Sequence, residues 1–455
     1  MSTHFPPLPR TTTADVLWPR LPSPQGALAL ALHWQFEQSQ WFAPERLLEI
    51  QMQQLGELLR HARRYVPYYR DRPDWKAIDL AATPVLEAFR QLPRLSRAEV
   101  QAAGKALFSV APPRHHGKAV SGRTSGSTGR PVEYLSNALC QLLWRTVTLR
   151  EHFWHRRDFS GKLAVIRAGV TTADMPDWGP STDVAFQTGP SASHDIHADL
   201  DTQAAWLASQ DPDYLLAYPS TLVGLAKLYR TGRFRLSRLK ELRSFGEALD
   251  THARSLCRDA FQVPITDIYS ASEVGYIALQ CPDSGHYHVQ SETVLAEVLR
   301  DDGRPCEAGE VGRIVVTPLH NLHMPLIRYE LGDHVRLGGA CPCGRGLPVI
   351  EEILGRQRNL LTLADGRRFW PYLHMMEWPQ IAPVVQAQAV QKSPREIEIR
   401  LVLARPMRED EQARLAEFIQ GHLPQRCELR FSVVEAIARS ASGKYEDFLS
   451  EVTDP

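Results

Sequence analysis

The 455-residue sequence has no surplus of charge: 52 Lys and Arg stand against 52 Asp and Glu. A general nucleic-acid surface needs a basic excess to neutralise phosphates, so that class has no support. Long apolar runs are missing too. The best stretch, residues 27–33, falls well short of the roughly 20 residues that span a bilayer. The start, MSTHFPPLPRTTT, has no apolar core behind a basic segment, so no secretory leader is expected. Cysteine is scarce, seven in all and unevenly spaced. A disulfide framework is therefore not expected, and a cytoplasmic, reduced chain whose cysteines are thiols or metal ligands fits best. Two familiar phosphate motifs are absent. There is no G-x-x-x-x-G-K-[ST], because Arg130 and Pro131 follow Gly129, and no G-x-G-x-x-G.

What is present is ordinary for a globular protein, 43% hydrophobic and 23% charged. The length allows one large domain or two to three ordinary ones. The first 45 residues are rich in Pro and aromatics, with Trp18, Trp34, Phe36, Trp41 and Phe42, and read as an arm packed on the body. Residues 47–65 carry Leu48, Met52, Leu55, Leu58, Leu59 and Ala62 at helical spacing, and Pro67 ends that helix. From about residue 111 to Asp333, short apolar runs such as KLAVIR, DYLLAYP, ITDIYSASE, TVLAEVL and RIVVTPL alternate with helical patterns such as LVGLAKLYR. That is a mixed α/β pattern. A break falls near Gly355. Beyond it, residues 396–403 alternate as a half-buried strand, 414–423 read as a helix and 429–434 as a second strand. Together they form a βαβ-like module, a plausible second domain of roughly 100 residues.

One stretch, SGRTSGSTGRPVEY at 121–134, holds three glycines, three serines, two threonines and two arginines. Glycine lets backbone approach an anion, and successive N–H groups form a concave anion site. Arg123 and Arg130 add charge. A solvated turn is the plain alternative, and composition alone leaves the two even. Five further segments follow in order: SFGEALD, YSASEVG, MPLIRYELGDHVRL, LGRQRN and ARSASGKYEDF. Taken singly, Tyr269 reads as a core aromatic, Asp333 as a turn residue after Gly332 and Lys444 as a surface lysine.

Taken in series, the segments resemble the adenylate-forming enzymes, in the phenylacetate–CoA ligase-like branch with its capsule-biosynthesis-type members. The resemblance runs from about residue 47 to the end. It implies an α/β fold with a large N-terminal domain, residues 1–355 including the arm of 1–45. A small mobile α+β domain, residues 356–455, would carry the catalytic lysine. It implies ATP-dependent activation of a small carboxylic acid to an acyl-adenylate. The acyl group then passes to a thiol, either coenzyme A or the phosphopantetheine of an acyl carrier protein. On that resemblance Thr124, Ser125, Gly126, Ser127, Thr128 and Gly129 would hold phosphates, with Thr128 also catalytic. Gly246 and Glu247 would line the adenine pocket, Tyr269 and Ser270 would flank the base, and Asp333 would bind ribose. Glu273 would hold Mg2+, Arg356 would contact ribose or phosphate, and Lys444 would bridge the attacking carboxylate and the α-phosphate. Arg358 stands where the family often has a hinge Asp, and a rotation there is expected. Tyr218, Ser220 and Phe245 are candidates for the acyl pocket, which two aromatics tilt towards an aryl or arylacetic acid.

The same branch shows a Cys, a nearby His and a distal C-x-C-G. Cys281, His288, Cys341 and Cys343 are thus candidate ligands of a structural zinc, with His288 preferred over His286; three reduced thiols and a turn at Pro342 are the alternative. Cys140, Cys257, Cys306 and Cys427 read as packing residues. A homodimer is compatible with the resemblance. Two other readings stay open: transfer of the acyl group to an amine or other nucleophile, and a non-catalytic nucleotide- or zinc-binding scaffold.

Overall fold

Five short, almost wholly buried strands form the centre of the computed structural model: Leu163–Arg167, Ser191–Asp195, Tyr214–Ala217, Glu241–Phe245 and Ile265–Ala271. Strands buried on both faces read as continuous apolar runs, as KLAVIR and YLLA do. All neighbours among them pair in parallel, in the spatial order Ser191–Asp195, Leu163–Arg167, Tyr214–Ala217, Glu241–Phe245, Ile265–Ala271. The winding reverses between Leu163–Arg167 and Tyr214–Ala217, and ligands of such sheets bind beyond the carboxyl ends of the strands at a reversal of this kind. The crossover helices Leu200–Gln210 and Thr251–Phe261 start at Asp199 and Asp250, whose side chains accept the N–H of Thr202 and Ala253. Helix Pro219–Arg230 starts with proline in its first turn. Seven further strands extend this into one twelve-stranded sheet, mostly by antiparallel pairing.

The structure describes residues 7–124, 131–356, 360–369, 371, 373–375, 377–437, 439 and 443–452. Two compact units divide it, Met1–Ile353 and Leu354–Pro455. In the first, the aromatic-rich arm contains a helix, Pro24–Ser39, that buries Ala29 and Phe36. Helix Pro44–Tyr65 buries Leu55, Leu58, Leu59 and Ala62, the spacing read from sequence. A separate antiparallel pair, Ala119–Arg123 with Glu133–Asn137, flanks the glycine-rich stretch in sequence. No helix among the described residues is long and apolar enough to cross a membrane.

The second unit holds a four-stranded sheet in the order Glu428–Val433, Glu396–Leu403, Val384–Ser393, Phe448–Ser450. Helix Glu409–Gly421 connects the parallel strands Glu396–Leu403 and Glu428–Val433. Val384–Ser393, absent from the sequence reading, pairs with Glu396–Leu403 as an antiparallel hairpin. Its core is Trp378, Ala389, Ile397, Ile399, Leu401, Leu415, Ile419 and their neighbours.

Candidate active site and a cysteine–histidine cluster

The carboxyl ends of three adjacent parallel strands collect most of the sequence-derived site residues of the first unit. Tyr218 follows Tyr214–Ala217, Phe245 to Glu247 end and follow Glu241–Phe245, and Tyr269 to Glu273 end and follow Ile265–Ala271. Tyr218 and Phe245 stack, with ring centroids 4.6 Å apart. The Glu247 carboxylate accepts the backbone N–H of Ser220 at 2.9 Å. That places an anion in the first turn of helix Pro219–Arg230, where the helix dipole favours it. Gly246 sits at φ +81°, a left-handed conformation that costs glycine little. A one-residue irregularity between Tyr269 and Ser270 alters the pairing with Gly275–Gln280.

Tyr269 and Glu273 are four residues apart, as are Tyr329 and Asp333 on strand Tyr329–Leu337. They pair reciprocally. Tyr269 Oη donates to Asp333 Oδ2 at 2.8 Å, and Tyr329 Oη donates to Glu273 Oε1 at 3.0 Å. Three strands lie between these two in the sheet order. A flat sheet would hold them about 19 Å apart at ~4.8 Å per strand. The sheet therefore curls back on itself here, bringing two carboxylates and two phenols together. Tyr329 is buried, and its hydroxyl is held well above the usual range by that burial and then by the charge of Glu273.

The neck of the glycine-rich loop lies at the same place. Thr124 N–H donates to Val132 O and Val132 N–H donates to Thr124 Oγ1, both at 2.9 Å. Arg97 joins this neck to the carboxylate. Its Nη2 donates to Thr124 Oγ1 at 2.8 Å and its Nη1 lies 3.6 Å from Glu273 Oε1. Burial, followed by the charge of Glu273, also raises the hydroxyl of Tyr134. Neither Arg97 nor Tyr329 was picked out from sequence. Tyr329 could have been, since it shares strand parity with Asp333; Arg97 has no local signal. Ser125, Gly126, Ser127, Thr128 and Gly129 lie outside the described residues, as does Arg358. Arg356 and Lys444 belong to the second unit. Arg356 ends strand Val349–Arg356. Lys444 is half-buried and follows Gly443, which has φ 78°.

Cys281, His288, Cys341 and Cys343 converge, with every candidate ligand atom within 4.8 Å of the others. Cys341 Sγ is 3.9 Å from Cys281 Sγ, and Cys343 Sγ is 3.3 Å from His288 Nε2. Tetrahedral zinc with Zn–S near 2.3 Å needs sulfurs about 3.8 Å apart, so the donor set fits that ion. His288 directs Nδ1 at Leu347 O, 3.4 Å away, which leaves Nε2 facing the cysteines. Arg345, unremarked in the sequence reading, supports the cluster. Its guanidinium lies over the rings of Trp41 and Trp154, and its Nη1 reaches Cys281 Sγ at 3.9 Å and Asp283 at 3.3 Å. Cys257, Cys306 and Cys427 are buried and Cys140 is half-buried.

Residues 374–450 match the family model of the CapK C-terminal domain. Over 335 residues the chain is 28% identical to the phenylacetate-coenzyme A ligase of Thermus thermophilus, spanning 70% of this chain and 72% of that protein. In sequence the chain is thus similar to a phenylacetate–CoA ligase and, over residues 374–450, to the CapK C-terminal domain. In fold it is similar to a 2-hydroxyisobutyryl-CoA ligase in complex with 2-HIB-AMP, with a TM-score of 0.68, 18% identity and 89% of each chain covered. It is also similar to the anthranilate CoA ligase AuaEII in complex with anthranoyl-AMP, with a TM-score of 0.53, 15% identity, and 72% and 66% of the chains covered.

Proposed function

We propose that the protein is an AMP-forming acid–thiol ligase. A carboxylate oxygen of the acid attacks the α-phosphorus of ATP, the bond to pyrophosphate breaks, and an acyl-adenylate forms. A thiolate then attacks the acyl carbon, the bond to AMP breaks, and a thioester results. The observation that carries this reading is the reciprocal pairing of Tyr269 with Asp333 and Tyr329 with Glu273 beside the neck of the glycine-rich loop. Such a place offers a carboxylate for ribose hydroxyls, an aromatic face for a base and loop amides for phosphates.

Each residue then has a physical task. Asp333, oriented by the Tyr269 hydroxyl, accepts hydrogen bonds from the ribose. Glu273, nearly buried, is a hard oxygen ligand suited to Mg2+, which when bound supplies positive charge against the phosphates. Thr124 anchors the loop that cradles them. Lys444 neutralises charge where the acid's carboxylate and the α-phosphate approach each other. The Tyr218–Phe245 stack favours an aromatic acid. Coenzyme A is the acceptor, in keeping with the coenzyme A ligase relative. The cysteine–histidine cluster holds a structural zinc, because four protein ligands leave no open position.

The deciding experiment follows pyrophosphate release from ATP over a panel of aryl, arylacetic and aliphatic acids. It is run with coenzyme A, with a carrier protein and with neither, and with Lys444→Ala as control. At least one acid is expected to release pyrophosphate, and coenzyme A to yield its thioester. Lys444→Ala is expected to lose pyrophosphate release while still converting a supplied acyl-adenylate. Silence across the panel would sink the reading; a thioester formed only on the carrier would replace coenzyme A as acceptor.

A further inference from the structure

Arg97 holds a position that none of the recognised motifs explains. The segment before it is pinned along strand Tyr329–Leu337: Leu95 N–H donates to Arg328 O at 2.8 Å, and Glu330 N–H donates to Leu95 O at 2.9 Å. The next residue, Ser96, caps helix Arg97–Ala103 in a reciprocal box with Glu99. Arg97 is thus delivered, by backbone fixed on both sides, to the space between Thr124 and Glu273. The Glu273 side chain is only 6% exposed. A carboxylate so nearly removed from water needs a countercharge, and Arg97 supplies it at 3.6 Å. Its Nε is buried and has no partner among the described residues.

We propose that Arg97 is a positioning residue that stands in for the divalent cation and then hands over. Before nucleotide binds, its guanidinium neutralises Glu273 and clamps the neck of the glycine-rich loop through Thr124. When a divalent cation takes Glu273, two positive groups compete for one carboxylate. The guanidinium then turns to the anion that arrives with the cation, a phosphate of the nucleotide, for which its planar fork is suited. Thr124, its other partner, is the first residue of the loop that would hold that phosphate. The residue therefore opposes metal binding and assists nucleotide binding. This rests on the adenylation reading, from which the identities of cation and nucleotide come.

The test uses the full chain with Arg97→Gln, which can still donate to Thr124, and Arg97→Lys, which keeps the charge without the fork. Mn2+ binding to nucleotide-free protein, read by paramagnetic resonance, is expected to tighten at least fivefold in Arg97→Gln. Binding of ATP without a divalent cation, read by calorimetry, is expected to weaken at least tenfold. Arg97→Lys should fall between wild type and Arg97→Gln in both. The opposite signs are the signature, since a merely structural role would weaken both ligands together. Metal and nucleotide affinities that fall together, or that both match wild type, would overturn the proposal while leaving the adenylation reading intact. Wild type that binds neither Mn2+ nor ATP would remove that reading and this proposal with it. Should Arg97→Gln fail to fold, Arg97→Lys carries the same two titrations with the same signs.

Discussion

Tyr269 and Tyr329 each donate a hydroxyl hydrogen bond to a carboxylate that belongs to the other's segment, so neither acts only as a ring. For Tyr269 the two contributions can be separated. Tyr269→Phe keeps the aromatic face and deletes the 2.8 Å donor to Asp333. A hydrogen bond to a charged group is worth roughly 1.5–3 kcal/mol, less where water can replace it, and Asp333 is only half-buried. The expected result is a rise in the ATP KM of about 5–20-fold, with thermal stability nearly unchanged. Tyr269→Leu, which also removes the face, should cost more. An ATP KM in Tyr269→Phe equal to wild type would mean that Asp333 is oriented by other groups. At this scale the sequence was informative where a residue lies inside a dense local motif, as Tyr269, Glu273 and Asp333 do. Arg97 was invisible because its partners lie 27 residues away at Thr124 and far beyond at Glu273. No periodicity encodes such a contact.

Among the elements, the antiparallel pair Ala119–Arg123 with Glu133–Asn137 shows how closely its two strands pack. Gly122 and Tyr134 face each other across the pair. A Cβ on Gly122 would lie 2.4 Å from Tyr134 Cζ and 2.5 Å from its hydroxyl oxygen. The ring must therefore move if Gly122→Ala is made. Because strand Ala119–Arg123 is largely exposed, the stability cost should stay below about 1 kcal/mol. Tyr134 stands in the field of Glu273, however, so its displacement should raise the ATP KM several-fold. Steady-state kinetics beside a melting curve checks this; a lower melting temperature with unchanged kinetics would show that the hairpin is merely structural. Leu163–Arg167 and Tyr214–Ala217 were legible because burial on both faces leaves an unbroken apolar run, whereas Ser191–Asp195 and Glu241–Phe245, equally buried but written SASHD and ELRSF, were not. Val384–Ser393 was not, since VVQAQAVQKS reads as polar. Its Gln391 is buried and satisfied inside the unit, donating to Thr362 O at 2.7 Å and accepting from Thr362 N–H and the Ser450 hydroxyl, each at 2.9 Å. A glutamine whose every bond is internal cannot be told from a surface glutamine by pattern alone.

Over the whole molecule, the presence of two units with separate cores predicts how metal loss should register. The cysteine–histidine cluster lies within Met1–Ile353, while Leu354–Pro455 is built on Trp378, Leu415 and Ile419 around its own sheet. Zinc bound only by the folded first unit would stabilise that unit by mass action and leave the second alone. Freshly purified protein is expected to carry about one zinc per chain. Calorimetry should resolve two transitions, because units with independent cores need not melt as one. Cys343→Ser removes one of the four proposed ligands, at 3.3 Å from His288, and leaves the reciprocal tyrosine–carboxylate pairs untouched. It should lower one transition by several degrees, abolish zinc retention and change ATP affinity less than about twofold. A chelator added to wild type should reproduce that shift and nothing more in Cys343→Ser. A single transition that moves as a whole would show instead that the units melt together; an unshifted pair, with no zinc on the wild type, would reduce the cluster to four side chains packed around Arg345.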